Sequence, residues 1–130
     1  MRVLIPHFIN AQFRSGQFSG EFEAVSLYVD ITGFTTLTEN LMRHGKEGVE
    51  ELSAELNVIF APLVHAVYAQ GGFITTFAGD AFTALFPLGD EDDSALQRAA
   101  QAALSIRDFI RDHTTLPTPY GAFEISVKIG

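Results

Sequence analysis

The apolar period of the chain changes twice between Val25 and Phe86, and the order of those changes leaves few folds open. Val25 to Ile31 is a near-continuous, β-rich apolar run that ends at Gly33, the pattern of a buried strand. From about Lys46, Val49, Leu52, Leu56, Ile59, Phe60, Leu63, Val64 and Val67 recur every three or four residues, one apolar face of a long helix. Phe73 to Ala78 and Phe82 to Phe86 return to strand, divided by Gly79-Asp80, a two-residue hairpin turn.

The other elements fit around that frame. Residues 1–24 read as an irregular or short helical lead-in broken by Gly16, Ser19 and Gly20. Thr35 or Thr36 is expected to cap a short helix carrying Leu37, Leu41 and Met42, closed by His44-Gly45. Pro62 is expected to kink the long helix, because it removes a backbone donor, and Gly71-Gly72 to stop it. The acidic run Asp90 to Asp93 precedes a further helix, Ser94 to about His113, with Leu96, Ala99, Ala100, Ala103, Leu104, Ile106 and Ile110 on its buried side. Thr114 to Tyr120 reads as a turn, and Phe123 to Ile129 alternates as a strand. The order β-(αα)-β-β-α-β is a ferredoxin-like α+β core with a mixed or antiparallel sheet, residues 25–130 reading as the N-terminal part of a domain.

Composition narrows the function. With 130 residues and 47% hydrophobic side chains, the chain supports one compact domain with a Phe-rich core, twelve Phe and no Trp. A formal charge of −8 argues against a nucleic-acid groove or an anionic membrane surface as partner. It does not oppose nucleotide binding, since cations can bridge carboxylates to a triphosphate. Zero Cys removes disulfide and thiolate chemistry and fits a cytoplasmic location. Pro6 and His7 break the apolar start, so it is not a signal peptide, and no apolar stretch is expected to reach the ~18–20 residues of a membrane span.

Chemistry concentrates at two carboxylates. Asp30 follows Leu27, Tyr28 and Val29, with Gly33 close behind; Asp80 follows Phe77, Ala78 and Gly79. Each lies where an apolar strand breaks beside a glycine that lets a ligand approach the backbone. One such carboxylate closes a turn. Two suggest a divalent-metal site for phosphate chemistry.

Asp30-Ile-Thr-Gly-Phe-Thr35, Thr38-Glu39, Gly71-Gly72 and Phe77-Ala-Gly-Asp-Ala81 resemble the motifs of class III nucleotidyl cyclase catalytic domains, soluble-type adenylyl cyclases and their bacterial relatives above all. The resemblance runs from about Leu4 to the last residue and implies cyclisation of a nucleoside triphosphate, ATP or GTP, by two Mg²⁺ or Mn²⁺ ions. It assigns the metals to Asp30, Asp80 and the backbone carbonyl of Ile31, and the phosphates to Gly33, Phe34 and Thr35. Where many adenylyl cyclases carry a base-recognising lysine, this chain has Thr76, which offers a hydroxyl and no charge.

Active sites of that family form between two such domains, a homodimer or an intramolecular pseudo-dimer, so the resemblance also implies a second cyclase-type domain. Its transition-state Asn and Arg match no residue here, and the ending at Gly130 reads as a fragment boundary, so the chain alone is expected to be inactive. The alternative is a degenerate cyclase-like module that dimerises with or regulates an active domain. Arg98, Arg107 and Arg111 are expected to face solvent, and His7, His44, His65 and His113 lack ligand spacing. Arg43 and Lys46 read as surface charge, and Phe8, Phe13, Phe18 and Phe22 as a lead-in packed on the domain or on a neighbour.

Overall fold

The structure is a computed structural model and describes residues 7–16, 19–89 and 94–130; the acidic run Asp90 to Asp93, Phe18 and the start of the chain up to Pro6 lie outside the described residues. Its elements are α1 (His7–Arg14), β1 (Ala24–Thr32), α2 (Phe34–Met42), α3 (Gly45–Ala69), β2 (Phe73–Ala78), β3 (Ala81–Pro87), α4 (Ser94–Asp112), β4 (Thr115–Thr118), β5 (Gly121–Glu124) and β6 (Ser126–Ile129). β2, β3, β1 and β6 form a four-stranded sheet in that order, every neighbouring pair antiparallel. Counting core strands alone, the order is 2-3-1-4, the expected ferredoxin-like α+β fold.

One face of the sheet carries the core. Leu27, Val29 and Ile31 of β1 and Phe82, Ala84 and Phe86 of β3 point into it and meet Ile59, Leu63 and Val67 of α3 and Ala99, Ala102 and Ile106 of α4. β1 is therefore buried on one face only. Ser26, Tyr28 and Thr32 are exposed and Asp30 is half-buried on the other face, because α4 packs across β1, β3 and β6 from the core side.

Several local expectations change. Thr35 and Thr36 lie inside α2 and do not cap it; its N-cap is Gly33, with φ 104° and no side-chain hydrogen bond. A Cβ on Gly33 would stand 2.2 Å from the Glu124 carbonyl, so close backbone approach fixes the residue here. α3 runs unbroken through Pro62. It also holds an 18-residue window of mean hydropathy 1.4, so by length and composition it can cross a bilayer, contrary to the expectation above. Its Ile59–Leu63–Val67 stripe lies in the core.

On α4 the buried residues are Ala95, Ala99, Ala102, Ile106 and Ile110, whereas Leu96, Ala100 and Leu104 lie on the outer face, Leu96 67% exposed. Repeats of Ala at neighbouring angles leave the sequence blind to which stripe packs. Thr114 to Tyr120 is a turn only at Pro119 and Tyr120, after a short strand. Thr115–Thr118 pairs with Gly121–Glu124 as a separate ribbon. The single strand expected over Phe123 to Ile129 breaks at Ile125, whose side chain is buried and whose amide donates to the Thr114 carbonyl at 2.8 Å.

The ribbon docks beside α2, where the Tyr120 ring stacks on His44 with centroids 3.8 Å apart. In the lead-in, Phe8 stacks on Phe73 and packs on Phe22, while Phe13 stays 62% exposed. Arg107 and Arg111 are exposed and pair with Asp108, as exposed helix charges do. Arg98 departs from the expectation: it is half-buried and its Nη2 donates to the Pro87 carbonyl at 2.7 Å.

Candidate active site

Antiparallel register brings the two aspartates together. Asp30 of β1 stands opposite Ala81 of β3, so Asp80, one residue earlier at the hairpin tip, lies beside Ile31. The Ile31 amide donates to the Asp80 carbonyl at 3.0 Å and locks that placement. Gly79 supplies the positive φ of 64° that a two-residue hairpin turn needs, so Asp80 is carried at the tip. Both carboxylates belong to half-buried residues.

A residue's N–H and C=O point to the same neighbour in an antiparallel ladder, so the Ile31 carbonyl also points toward the Asp80 turn. Two carboxylates and one carbonyl make a hard, all-oxygen donor set that fits Mg²⁺ or Mn²⁺ and would need phosphate or water oxygens to complete it. Among the described residues no group of three or more His, Cys, Asp or Glu converges, so a metal here would depend on its bound ligand.

β1 runs directly from Asp30 and Ile31 through Gly33 into α2. The first amides of α2 lack a side-chain cap, and those of Phe34 and Thr35 precede the first helical bond, Leu37 N–H to Gly33 O at 3.3 Å. Thr35 is exposed beside them. The Phe34 side chain is buried against Phe60, ring centroids 5.6 Å apart, so Phe34 offers its backbone alone.

Thr76 shares the open face with Asp30. It pairs with Thr83, which in turn pairs with Tyr28 of β1, two residues before Asp30. A β-bulge at Thr75 produces this phase: the register shifts between Ile74 and Thr76, and Thr75 Oγ1 donates to the Thr83 carbonyl at 3.3 Å. The extra residue turns Phe77 to the core side, where it packs on Phe60 and Phe82, and leaves Thr76 on the open face.

Sequence reasoning missed Lys128. β6 pairs with β1 so that Lys128 stands directly across from Asp30, on the open face and exposed. Its ammonium is the cation that shares a cross-strand pair with a candidate metal ligand. Alternation in Phe123 to Ile129 was visible, but the register to β1 was not. His44, His65 and His113 take no part in the site, and Arg43 and Lys46 are exposed, Lys46 lying 3.9 Å from Glu50.

No family model matches the chain. Adenylate cyclase type 10 of Rattus norvegicus is 39% identical over 79 residues, covering 55% of this chain and 5% of the relative. The Homo sapiens protein of the same name gives the same identity over the same length. The chain thus matches only a small part of those long relatives. A bacterial light-regulated adenylyl cyclase superposes with TM-score 0.66 at 22% identity, over 97% of this chain and 36% of that one. The non-canonical dimeric guanylyl cyclase domain of a fungal fusion protein from Blastocladiella emersonii gives 0.63 at 23% identity, over 85% and 57%. The chain has the fold of class III nucleotidyl cyclase catalytic domains, and over about half its length it is homologous to a small part of adenylate cyclase type 10.

Proposed function

We propose that the chain, through residues 25–130, is the metal-holding part of a nucleotidyl cyclase acting on a nucleoside triphosphate, ATP in preference. The observation that carries this reading is the adjacency of Asp30 and Asp80 on neighbouring strand ends, joined through Ile31. In the reaction the ribose 3′-oxygen loses its proton and bonds to the α-phosphorus, the bond to the bridging oxygen breaks, and pyrophosphate leaves. Asp30, Asp80 and the Ile31 carbonyl would hold two Mg²⁺ or Mn²⁺ ions. When bound, such ions lower the pKa of the attacking hydroxyl and offset the charge of the leaving group.

The chain's own groups orient the substrate. Amides of Gly33, Phe34 and Thr35 at the start of α2 would donate to phosphate oxygens at the positive end of the helix. Lys128 would hold a phosphate oxygen across from Asp30, which a compact ammonium does well. Thr76 presents one hydroxyl to the base, so discrimination between ATP and GTP falls to a second cyclase-type domain, a copy of this one or a neighbour in the same parent chain. A guanylyl cyclase domain of the same fold forms a non-canonical dimer, which supports pairing of such domains and not its geometry. A formal charge of −8 supports a cytoplasmic setting without nucleic acid as partner.

These 130 residues alone turn over no substrate, since none takes the transition-state roles that the resemblance carries. The test is complementation. The chain is mixed with a complete cyclase domain whose own metal aspartates are changed to Asn, and cyclic nucleotide is measured by chromatography. Product in the mixture, absent from each component and dependent on Asp30 and Asp80, is the expected result. Product from this chain alone contradicts the half-site, and none from the mixture at any ratio contradicts the cyclase reading.

A further inference from the structure

A cavity of about 430 Å³ joins one cation to aromatic walls, formed by Phe8 and Ala11 of α1 with Tyr68, Phe73, Pro87 and Arg98. It lies at the open end of the β2–β3 hairpin, away from the tip that carries Asp80. Cavities of this size hold small organic molecules.

Arg98 is the half-buried cation among the described residues, where every other Lys and Arg is exposed. Its Nε–H donates to Ser94 Oγ at 3.3 Å, Nη1 to the Gln70 carbonyl at 3.2 Å and Nη2 to the Pro87 carbonyl at 2.7 Å. A guanidinium has five N–H groups, so these three bonds leave one on each terminal nitrogen. All three acceptors are neutral. Among the described residues no carboxylate lies within ion-pair distance of Arg98.

Backbone geometry makes room for this arrangement. A Cβ on Gly71 would stand 2.9 Å from Nη1, and one on Gly72 would stand 2.6 Å from the Phe86 ring. Both glycines bring the turn after α3 against the cavity wall. A guanidinium drawn half out of water, with spare donors and no carboxylate at ion-pair distance among the described residues, favours a planar, bidentate anion. The rings of Phe8, Tyr68 and Phe73 favour a flat apolar body beside it.

We propose that this cavity binds a small organic carboxylate with a flat apolar body, its carboxylate on Arg98 and its body against Phe8 and Phe73. The inference does not rest on the cyclase reading, which uses the other end of the hairpin. The test is a titration of the full chain with benzoate, followed by ¹⁵N–¹H spectra that include the Arg98 Nε–H, beside neutral benzamide. Benzoate is expected to give saturable shifts at the Arg98 Nε–H and the Phe73 amide, with benzamide binding about tenfold more weakly or less, the effect of ~1.4 kcal/mol. Ala11→Trp fills the cavity from α1, and should abolish binding at an unchanged melting temperature. No saturable shift at millimolar benzoate, equal binding of benzamide, or unchanged binding in Ala11→Trp overturns the proposal.

Discussion

The amide of Ile31 donates to the carbonyl of Asp80 at 3.0 Å, and through that bond the end of β1 is fastened to the tip of the β2–β3 hairpin. The backbones of two aspartates remote in sequence become neighbours because β1 and β3 pair antiparallel with Asp30 opposite Ala81. Slipping the register by one residue would turn the Asp30 side chain into the core, a large penalty for a charge. The pairing that buries Val29 against Phe82 is therefore the pairing that exposes Asp30 beside Asp80.

Phe82 anchors that register from the core side and is almost wholly buried. Phe82→Ala should cost about 3–5 kcal/mol of stability, the usual range for a large aromatic removed from a core. Urea unfolding followed by circular dichroism measures it. A loss below ~1 kcal/mol would mean that the site collapses freely around the deletion.

Gly33 is where the candidate phosphate loop meets the ribbon. Gly33→Ala combines a left-handed φ of 104° with a Cβ placed 2.2 Å from the Glu124 carbonyl. A loss of about 1–3 kcal/mol from backbone strain is expected, with the clash adding to it. Gly20→Ala has nothing within 4 Å of the new Cβ and no positive φ, so it serves as the control and should change stability little.

Glu55 sets a pH dependence. Burial pushes its carboxyl above the ordinary value of 4.5, and the hydrogen bond with Glu51 and the repulsion from its charge add to this. The fold holds the Glu55 proton more tightly than the unfolded chain does. Stability tied to that proton is complete below pH 4.5 and is lost as pH rises through the raised value. Glu55→Gln keeps a neutral amide in place, so its unfolding free energy should fall less than wild type's across that window. Parallel pH profiles from denaturant midpoints would count against this assignment.

Lys128 provides a test of the open face. With Lys128→Ala, a triphosphate held through metal should bind about tenfold more weakly, the low end for a charged hydrogen bond. Raising salt should narrow the difference between the two proteins. Equal affinities at low salt would remove Lys128 from the site.

Strand and hairpin signals were legible because they are local. The apolar run before Asp30, the Gly79-Asp80 turn and the stripe on α3 each follow from residue type and spacing, and all three are present. Features that depend on pairing were not legible. The bulge at Thr75, which sets the face of Thr76, and the Asp30–Lys128 pair arise from register between distant strands. Ile125 breaks the last strand because its side chain enters the core while its amide turns to Thr114, a tertiary contact that alternation does not encode. Arg98 turns inward because two carbonyls, from Gln70 and Pro87, converge on it from other elements.

The most direct test of the metal-holding half-site is a calorimetric titration of this chain with Mn²⁺ and a non-cyclisable ATP analogue, beside Asp30→Asn and Asp80→Asn. Saturable analogue binding that requires Mn²⁺ and disappears in both variants, with their melting temperatures retained, is the predicted result. Analogue binding that is unchanged in either folded variant, or that proceeds equally without the metal, would contradict it.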